Sequence, residues 1–170
     1  MADTAPISPD QVSLRIAAPA DVLYDLVTDP AGMGRLSPEC TGGKWLNGAT
    51  GPVVGATFKG TNKRGIARWS TVNTVVAAVP GQEFAFETKQ SGTRWRYEFQ
   101  AEGDGTATVV TESRAAFRDR PAVAKIFSKL LLGGVEEHDD EMRTGMAATL
   151  ERLKNLAEAS GSTAPGVGSN

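Results

Sequence analysis

"TRWRYEFQ", residues 93–100, sets Trp95, Tyr97 and Phe99 on one side of an extended chain and Arg94, Arg96, Glu98 and Gln100 on the other. Successive side chains of a strand point to opposite faces, so one face is to be covered and the other wetted. The same period-two pattern runs on both sides of this stretch. It predicts strands at 41–46, 54–60, 66–78, 83–89, 93–101 and 106–117. "NKRG", "PGQ", "QSG" and "GDG" between them supply glycine or asparagine where a hairpin needs positive φ. Strands joined by such short turns make an antiparallel meander.

Ahead of the meander, "VSLRIAA" (12–18) alternates Val12, Leu14 and Ile16 against Ser13 and Arg15, which is another half-buried strand. Pro19 then opens "PADVLYDLVTDP", where Val22, Leu23, Leu26 and Val27 recur at helical spacing until Asp29-Pro30. "AGMGRLSPE" (31–39) reads as a second short helix that fails at Ser37-Pro38, because the residue before proline avoids helical geometry. Behind the meander, "PAVAKIFSKLLL" (121–132) and "VEEHDDEMRTGMAATLERLKNLAE" (135–158) read as helix on either side of Gly133-Gly134. Two interior glycines cost ~1 kcal/mol each relative to alanine, so a break or kink is expected there. The second piece would be ~35 Å long at about 1.5 Å per residue, enough to lie across a sheet.

A chain of 170 residues is long enough for one domain with a real core. A hydrophobic content of 40% and a net charge of -2 fit a globular protein and lack the basic excess that nucleic acid binding needs. "MADTAPISPD" has neither the basic start nor the apolar run of a secretory signal, and no run approaches the ~18 apolar residues of a membrane span. A cytoplasmic protein without integral membrane association is expected. Cys40 is the only cysteine, which excludes an intrachain disulfide and a cysteine zinc cluster. Residues 1–10 and 159–170 read as disordered tails around a single domain at 11–158.

A curved antiparallel sheet exposes an apolar concave face, and only the C-terminal helix is long enough to cover it. The expected class is therefore α+β: a curved sheet of about seven strands around a long C-terminal α-helix, with two short helices after the first strand. Space left between two single layers is a natural ligand cavity. This order resembles the START-like or SRPBCC superfamily, the helix-grip, polyketide cyclase/dehydrase and lipid-transport family, over roughly residues 11–157. The resemblance is carried by "AAPADVLYDLVTDPAGMGRLSPE", "VGATFKGTNKRGIARWSTVNTVVAAVPGQEFAFET" and "GMAATLERLKNLAE", the last similar to the helix that commonly ends actinobacterial members. These are fold signatures, and what they imply is a helix-grip domain with an apolar ligand such as a lipid, polyketide or isoprenoid-like compound.

Strong catalytic motifs are absent. "GTNKRGI" has the G-x-x-x-x-G spacing without the Lys-Ser/Thr of a phosphate loop, and no G-x-S-x-G, H-E-x-x-H or G-x-G-x-x-G occurs. No cofactor is expected. Advancing about 100° per residue from Met142 puts His138, Met146, Thr149, Leu153 and Leu156 on one inward stripe of the helix, while Glu136, Glu137, Asp140 and Glu141 fall outside it. One histidine with a marginal Asp139 is too few ligands for a metal, so no metal site is expected.

The ligand-binding candidates are the strand aromatics Phe58, Trp69, Phe86, Trp95, Tyr97 and Phe117, with Met142 and Met146 as an adaptable wall and His138 as a polar anchor. The loop from Met33 to Pro38 would help close the entrance. The basic set Lys59, Lys63, Arg64, Arg68, Arg94 and Arg96 reads as a charged outer sheet face. The leading expectation is a binder of a hydrophobic small molecule, working as monomer or homodimer. An alternative is an aromatase/cyclase-like or hydrolase-like enzyme in which His138 and Tyr97 or a nearby carboxylate handle protons. A further alternative is a toxin-like or chaperone-like interaction module acting from its outer face, which a filled core would favour.

Overall fold

The computed structural model describes residues 10–117 and 135–161, with residues 135–142 as helix without their side chains. The expectations for the tail segments 1–9 and 162–170, for a helix at 121–132, for a break at Gly133-Gly134, and for the side chains of His138 and Met142 lie outside the described residues.

The chain runs β1 (Asp10–Ile16), α1 (Ala20–Val27), a 3-10 turn (Gly32–Arg35), β2 (Cys40–Trp45), β3 (Thr57–Arg64), β4 (Ala67–Val79), β5 (Glu83–Thr88), β6 (Thr93–Glu102), β7 (Ala107–Ala116) and α2 (Val135–Gly161). The seven strands form one sheet in the order β1-β7-β6-β5-β4-β3-β2, with every neighbouring pair antiparallel. The meander is as its alternation predicts, and β1 adds itself beside β7, so the first and last strands are neighbours. α2 lies mainly over β1, with α1 and β7 beside it. This is the helix-grip architecture. None of the described helices is long and apolar enough to cross a membrane.

Element limits depart from the sequence pattern in places with identifiable causes. β3 starts at Thr57 and not at Val54, because Val53 and Val54 stand 67% and 63% exposed ahead of Gly55 at φ +89°. At its far end Asn62, Lys63 and Arg64 stay in the strand, and the hairpin turns on Gly65-Ile66 alone, with Gly65 at φ +56° as a two-residue turn requires. The expected second helix is a single 3-10 turn, since two glycines and Pro38 leave too little to propagate an α-helix. Asp10 belongs to β1 and pairs with Arg114, and the terminal helix continues through Ala159 to Gly161.

Burial follows the alternation. On β6, Tyr97 and Phe99 are buried while Arg94, Glu98 and Gln100 are exposed. A bulge between Val75 and Ala77 shifts the phase of the long strand β4: Asn73 and Val75 face in before it, and Ala78 packs on the core after it. The contiguous core joins Ile16 of β1, Leu23, Tyr24 and Val27 of α1, Val75, Phe84, Phe99 and Val110 of the sheet, and Leu150, Leu153 and Ala157 of α2. These residues fill one half of the space between sheet and helix. Two further ties close that half: Thr108 donates through Oγ1 to the Ala18 carbonyl at 2.8 Å, and the Ala17 N–H donates to Glu158 Oε1 at 3.0 Å.

Candidate functional site

The described residues leave the other half unfilled. A cavity of about 690 Å³ lies between the sheet and the stretch of α2 from Thr144 to Thr149. Its sheet wall is made by inward residues of successive strands: Phe58 on β3, Trp69, Thr71 and Asn73 on β4, Phe84, Phe86 and Thr88 on β5, Trp95 and Tyr97 on β6, Glu112 and Arg114 on β7. α2 contributes Thr144, Gly145, Met146, Ala148 and Thr149, and the segment after the 3-10 turn contributes Ser37, Pro38, Glu39 and Cys40.

The space persists because the wall alternates bulk with small residues. Rings of Trp45, Phe58, Phe86 and Phe84 follow one another at centroid separations of 5.5, 5.1 and 5.7 Å, a rigid strip that ties the cavity to the core through Tyr24. On the helix side the wall includes the small residues Gly145 and Ala148. Gly60 is also on the wall, and a methyl group there would come within 3.3 Å of Thr71 Oγ1.

Among the polar groups of this wall, three sets are tied by hydrogen bonds. Thr88 Oγ1 donates to Asn73 Oδ1 at 2.6 Å, and Asn73 Nδ2 donates to Thr71 Oγ1 at 3.3 Å. Arg114 donates through Nε and Nη2 to Asp10 Oδ2 at 3.2 and 2.8 Å, while Arg143 of α2 donates to Asp10 Oδ1 at 2.9 Å. The Arg114 hydrogen bond, helped by Arg143, holds the Asp10 carboxyl below its usual 3.8. The third group is a pair: the Tyr97 hydroxyl donates to Glu112 Oε1 at 2.8 Å, and both side chains are almost fully buried.

Burial disfavours the charged form of each partner. It pushes the Glu112 carboxyl from 4.5 to about 8, against the Tyr97 hydrogen bond, which pulls it down. It pushes the Tyr97 hydroxyl well above 10, with the Glu112 charge adding to the rise. The nearby Cys40 thiol is raised above 9 by burial as well. Glu112 therefore sits at a carboxyl value suited to exchanging a proton near neutral pH.

Of the residues singled out in the sequence, Phe58, Trp69, Phe86, Trp95, Tyr97 and Met146 come together on this wall. Met33, Ser37 and Pro38, of the loop expected to help close the entrance, line it too. Phe117 does not: it lies one residue past β7, out of phase with the inward Glu112 and Arg114, and its N–H donates to the Gly92 carbonyl at 3.0 Å. Asn73, Thr88, Glu112 and Arg114 are polar wall residues that the sequence reading did not single out, although strict alternation along "TVVTESRAA" carries Glu112 and Arg114 onto the face of Val110. Arg94 and Arg96 of β6 pair with Glu87 and Glu83 of the neighbouring strand β5. Among the described residues no group of three or more His, Cys, Asp or Glu is placed to hold a metal ion.

Among solved structures, the fold is shared with the Polyketide_cyc-like protein Cgl2372 from Corynebacterium glutamicum, at 26% identity and a TM-score of 0.56 over 90% of this chain and 94% of that one. TTHA0849 from Thermus thermophilus superposes with a TM-score of 0.64 at 15% identity, covering 88% and 97%. The di-domain ARO/CYC StfQ from the steffimycin biosynthetic pathway gives 0.65 at 13% identity, with 90% of this chain covering 51% of that one. At 15% and 13% identity the likeness is one of fold. No curated protein sequence matches the chain. The sequence itself matches the family described as polyketide cyclase/dehydrase and lipid transport over residues 11–158, and the chain belongs to that family.

Proposed function

We propose that the protein binds a mostly apolar small molecule, of lipid, polyketide or isoprenoid-like character, in the cavity between the sheet and α2. The observation that carries this is the half-filled interior: a core packed at one end and about 690 Å³ left open at the other, walled by Phe58, Trp69, Phe86 and Trp95. A space of this size takes a drug-sized ligand, and the polar groups set among the rings, Asn73, Thr88, Glu112 and Arg114, can orient one. Met146 gives the helix side an adaptable surface. The Met33–Pro38 segment is proposed as the flank of the entrance.

Native mass spectrometry of gently purified protein, followed by titration of the extracted compound against tryptophan fluorescence, tests this. A co-purifying apolar molecule with saturable rebinding supports the reading. Repeated absence of any bound molecule, with no saturable response to long-chain probes, overturns it.

A second reading is a catalyst of the cyclase or hydrolase kind, favoured by the Glu112–Tyr97 pair with its carboxyl near 8. In that case Glu112→Gln or His138→Ala abolishes conversion of the bound compound and leaves its affinity unchanged. If only affinity changes, the protein is a binder.

A further inference from the structure

Glu112 is 3% exposed and lines the cavity, and its Oε2 has no hydrogen-bond partner among the described residues. A buried carboxyl oxygen left without a partner is costly, and native structures rarely keep one without a use. Two uses are open to it. An ionised carboxylate would wait for a cation; a neutral acid would carry its proton on Oε2 and wait for an acceptor.

The surroundings favour the second. Oε1 is engaged by the Tyr97 hydroxyl, which as donor leaves Oε2 as the oxygen for the acid proton. The cation on the same strand face, Arg114, is turned to Asp10, and Asp10 is held from its other side by Arg143. Val12 of β1 stands opposite Glu112 in the sheet, and the described part of α2 brings Met146 and Thr149 to the cavity, none of which carries charge. Cys40 of β2 sits close to Tyr97. Among the described residues, the charged and titratable groups on this cavity are thus Tyr97, Cys40, Glu39 and the Asp10-bound Arg114.

We propose that Glu112 works as a neutral acid in the cavity, its Oε1 fixed by Tyr97 and its Oε2–H donating a hydrogen bond to an uncharged carbonyl oxygen of the bound molecule. This rests on the cavity-binding reading and adds the polar group of the ligand, a ketone or ester oxygen. A free carboxylate there would find one donor for a full buried charge, and an ammonium group would find no counter-charge while Glu112 keeps its proton. The carboxyl value near 8 agrees with a neutral acid at neutral pH.

Three probes of equal chain length separate the cases: 2-tridecanone, tridecanoate and tridecylammonium, each titrated against tryptophan fluorescence at about pH 7 and about pH 9. Across this window Glu112 passes from mostly protonated to mostly ionised, while burial holds the Cys40 thiol above 9. The wild type is expected to bind the ketone about tenfold more weakly at the higher pH, the change in the protonated fraction of a group titrating near 8. Glu112→Gln, which keeps an N–H donor, should retain ketone binding and lose the pH dependence. Tridecanoate should bind more weakly than the ketone at the lower pH.

Ketone affinity flat across the window in the wild type overturns the proposal, as does a pH dependence that survives in Glu112→Gln. Tighter tridecylammonium binding at the higher pH would make Glu112 a cation receptor, and tighter tridecanoate binding at the lower pH would move the ligand's polar end to Arg114. Either also overturns it, while leaving the cavity reading intact. If none of the three probes binds, the cavity reading itself falls and this inference with it.

Discussion

Glu112 is neutral in the fold over a pH range where it is ionised in the open chain, and this couples its proton to stability. The carboxyl rises from 4.5 to about 8 on folding, so the folded state holds the proton more tightly. The resulting stabilisation is whole below about pH 4.5, declines as pH rises toward 8 and is gone above it. At about 1.4 kcal/mol for each tenfold gain in proton affinity, the decline amounts to a few kcal/mol. Urea unfolding of the wild type should therefore show stability falling between mildly acidic and mildly basic pH, and Glu112→Gln should lack most of that fall. Tyr97→Phe removes the bond that pulls the carboxyl down, so it should push the Glu112 titration still higher, read by carboxyl-carbon NMR. Asp10 has the opposite sign: held below 3.8 by Arg114 and Arg143, it contributes stability lost only as pH falls through that range, so the two titrations do not overlap. The same residue shows where sequence reading stops. Period-two counting places Glu112 and Arg114 on the inward face, but a charge on a strand is ordinarily taken as wet, and only the fold shows that Asp10 and Tyr97 are there to receive them.

At the scale of the element, α2 is one helix with two kinds of surroundings. Leu153 is fully buried in the contiguous core, whereas Met146 is 1% exposed yet outside that core, against the cavity. Leu153→Ala should cost in the range of about 2–5 kcal/mol for a core truncation, and Met146→Ala should fall below it, because part of what surrounds Met146 is already empty. Equal losses in denaturant unfolding would mean that the cavity half is as tightly packed as the core half. Within β7, Thr108→Val should cost about 1–3 kcal/mol by leaving the buried Ala18 carbonyl without its donor. The helix face was legible: a phase of about 100° per residue puts Met146, Thr149 and Leu153 inward, as they are, and the buried arc extends to Leu150 and Ala157. The strands were legible through their side-chain alternation, with Tyr97 and Phe99 the clearest case. Their ends were less so, because Val53 and Val54 look like strand residues and only the turn at Gly55 throws them outward.

At the scale of the molecule, the cavity lies between the concave face of the seven-stranded sheet and the described residues of α2. The core half closes on α1, Leu150 and Leu153, and the helix wall of the other half includes Gly145 and Ala148, which carry little or no side chain. That imbalance makes occupancy testable by linkage, since a molecule that binds only the folded state stabilises it by an amount set by its concentration over its Kd. At about 100 times Kd this is about 2.7 kcal/mol, or roughly 5–10 °C in Tm for a chain of this size. We expect 2-tridecanone at saturating concentration to raise the wild-type Tm by that order. Ala148→Trp, which projects a large ring into the cavity from the helix side, should abolish the shift while leaving the unliganded Tm unchanged or higher, because the ring fills existing space and does not displace core residues. Thermal unfolding with and without the ketone checks wild type and variant side by side. If Ala148→Trp keeps the full ligand-induced shift, the ketone binds elsewhere on the molecule and the space between sheet and helix is not its site.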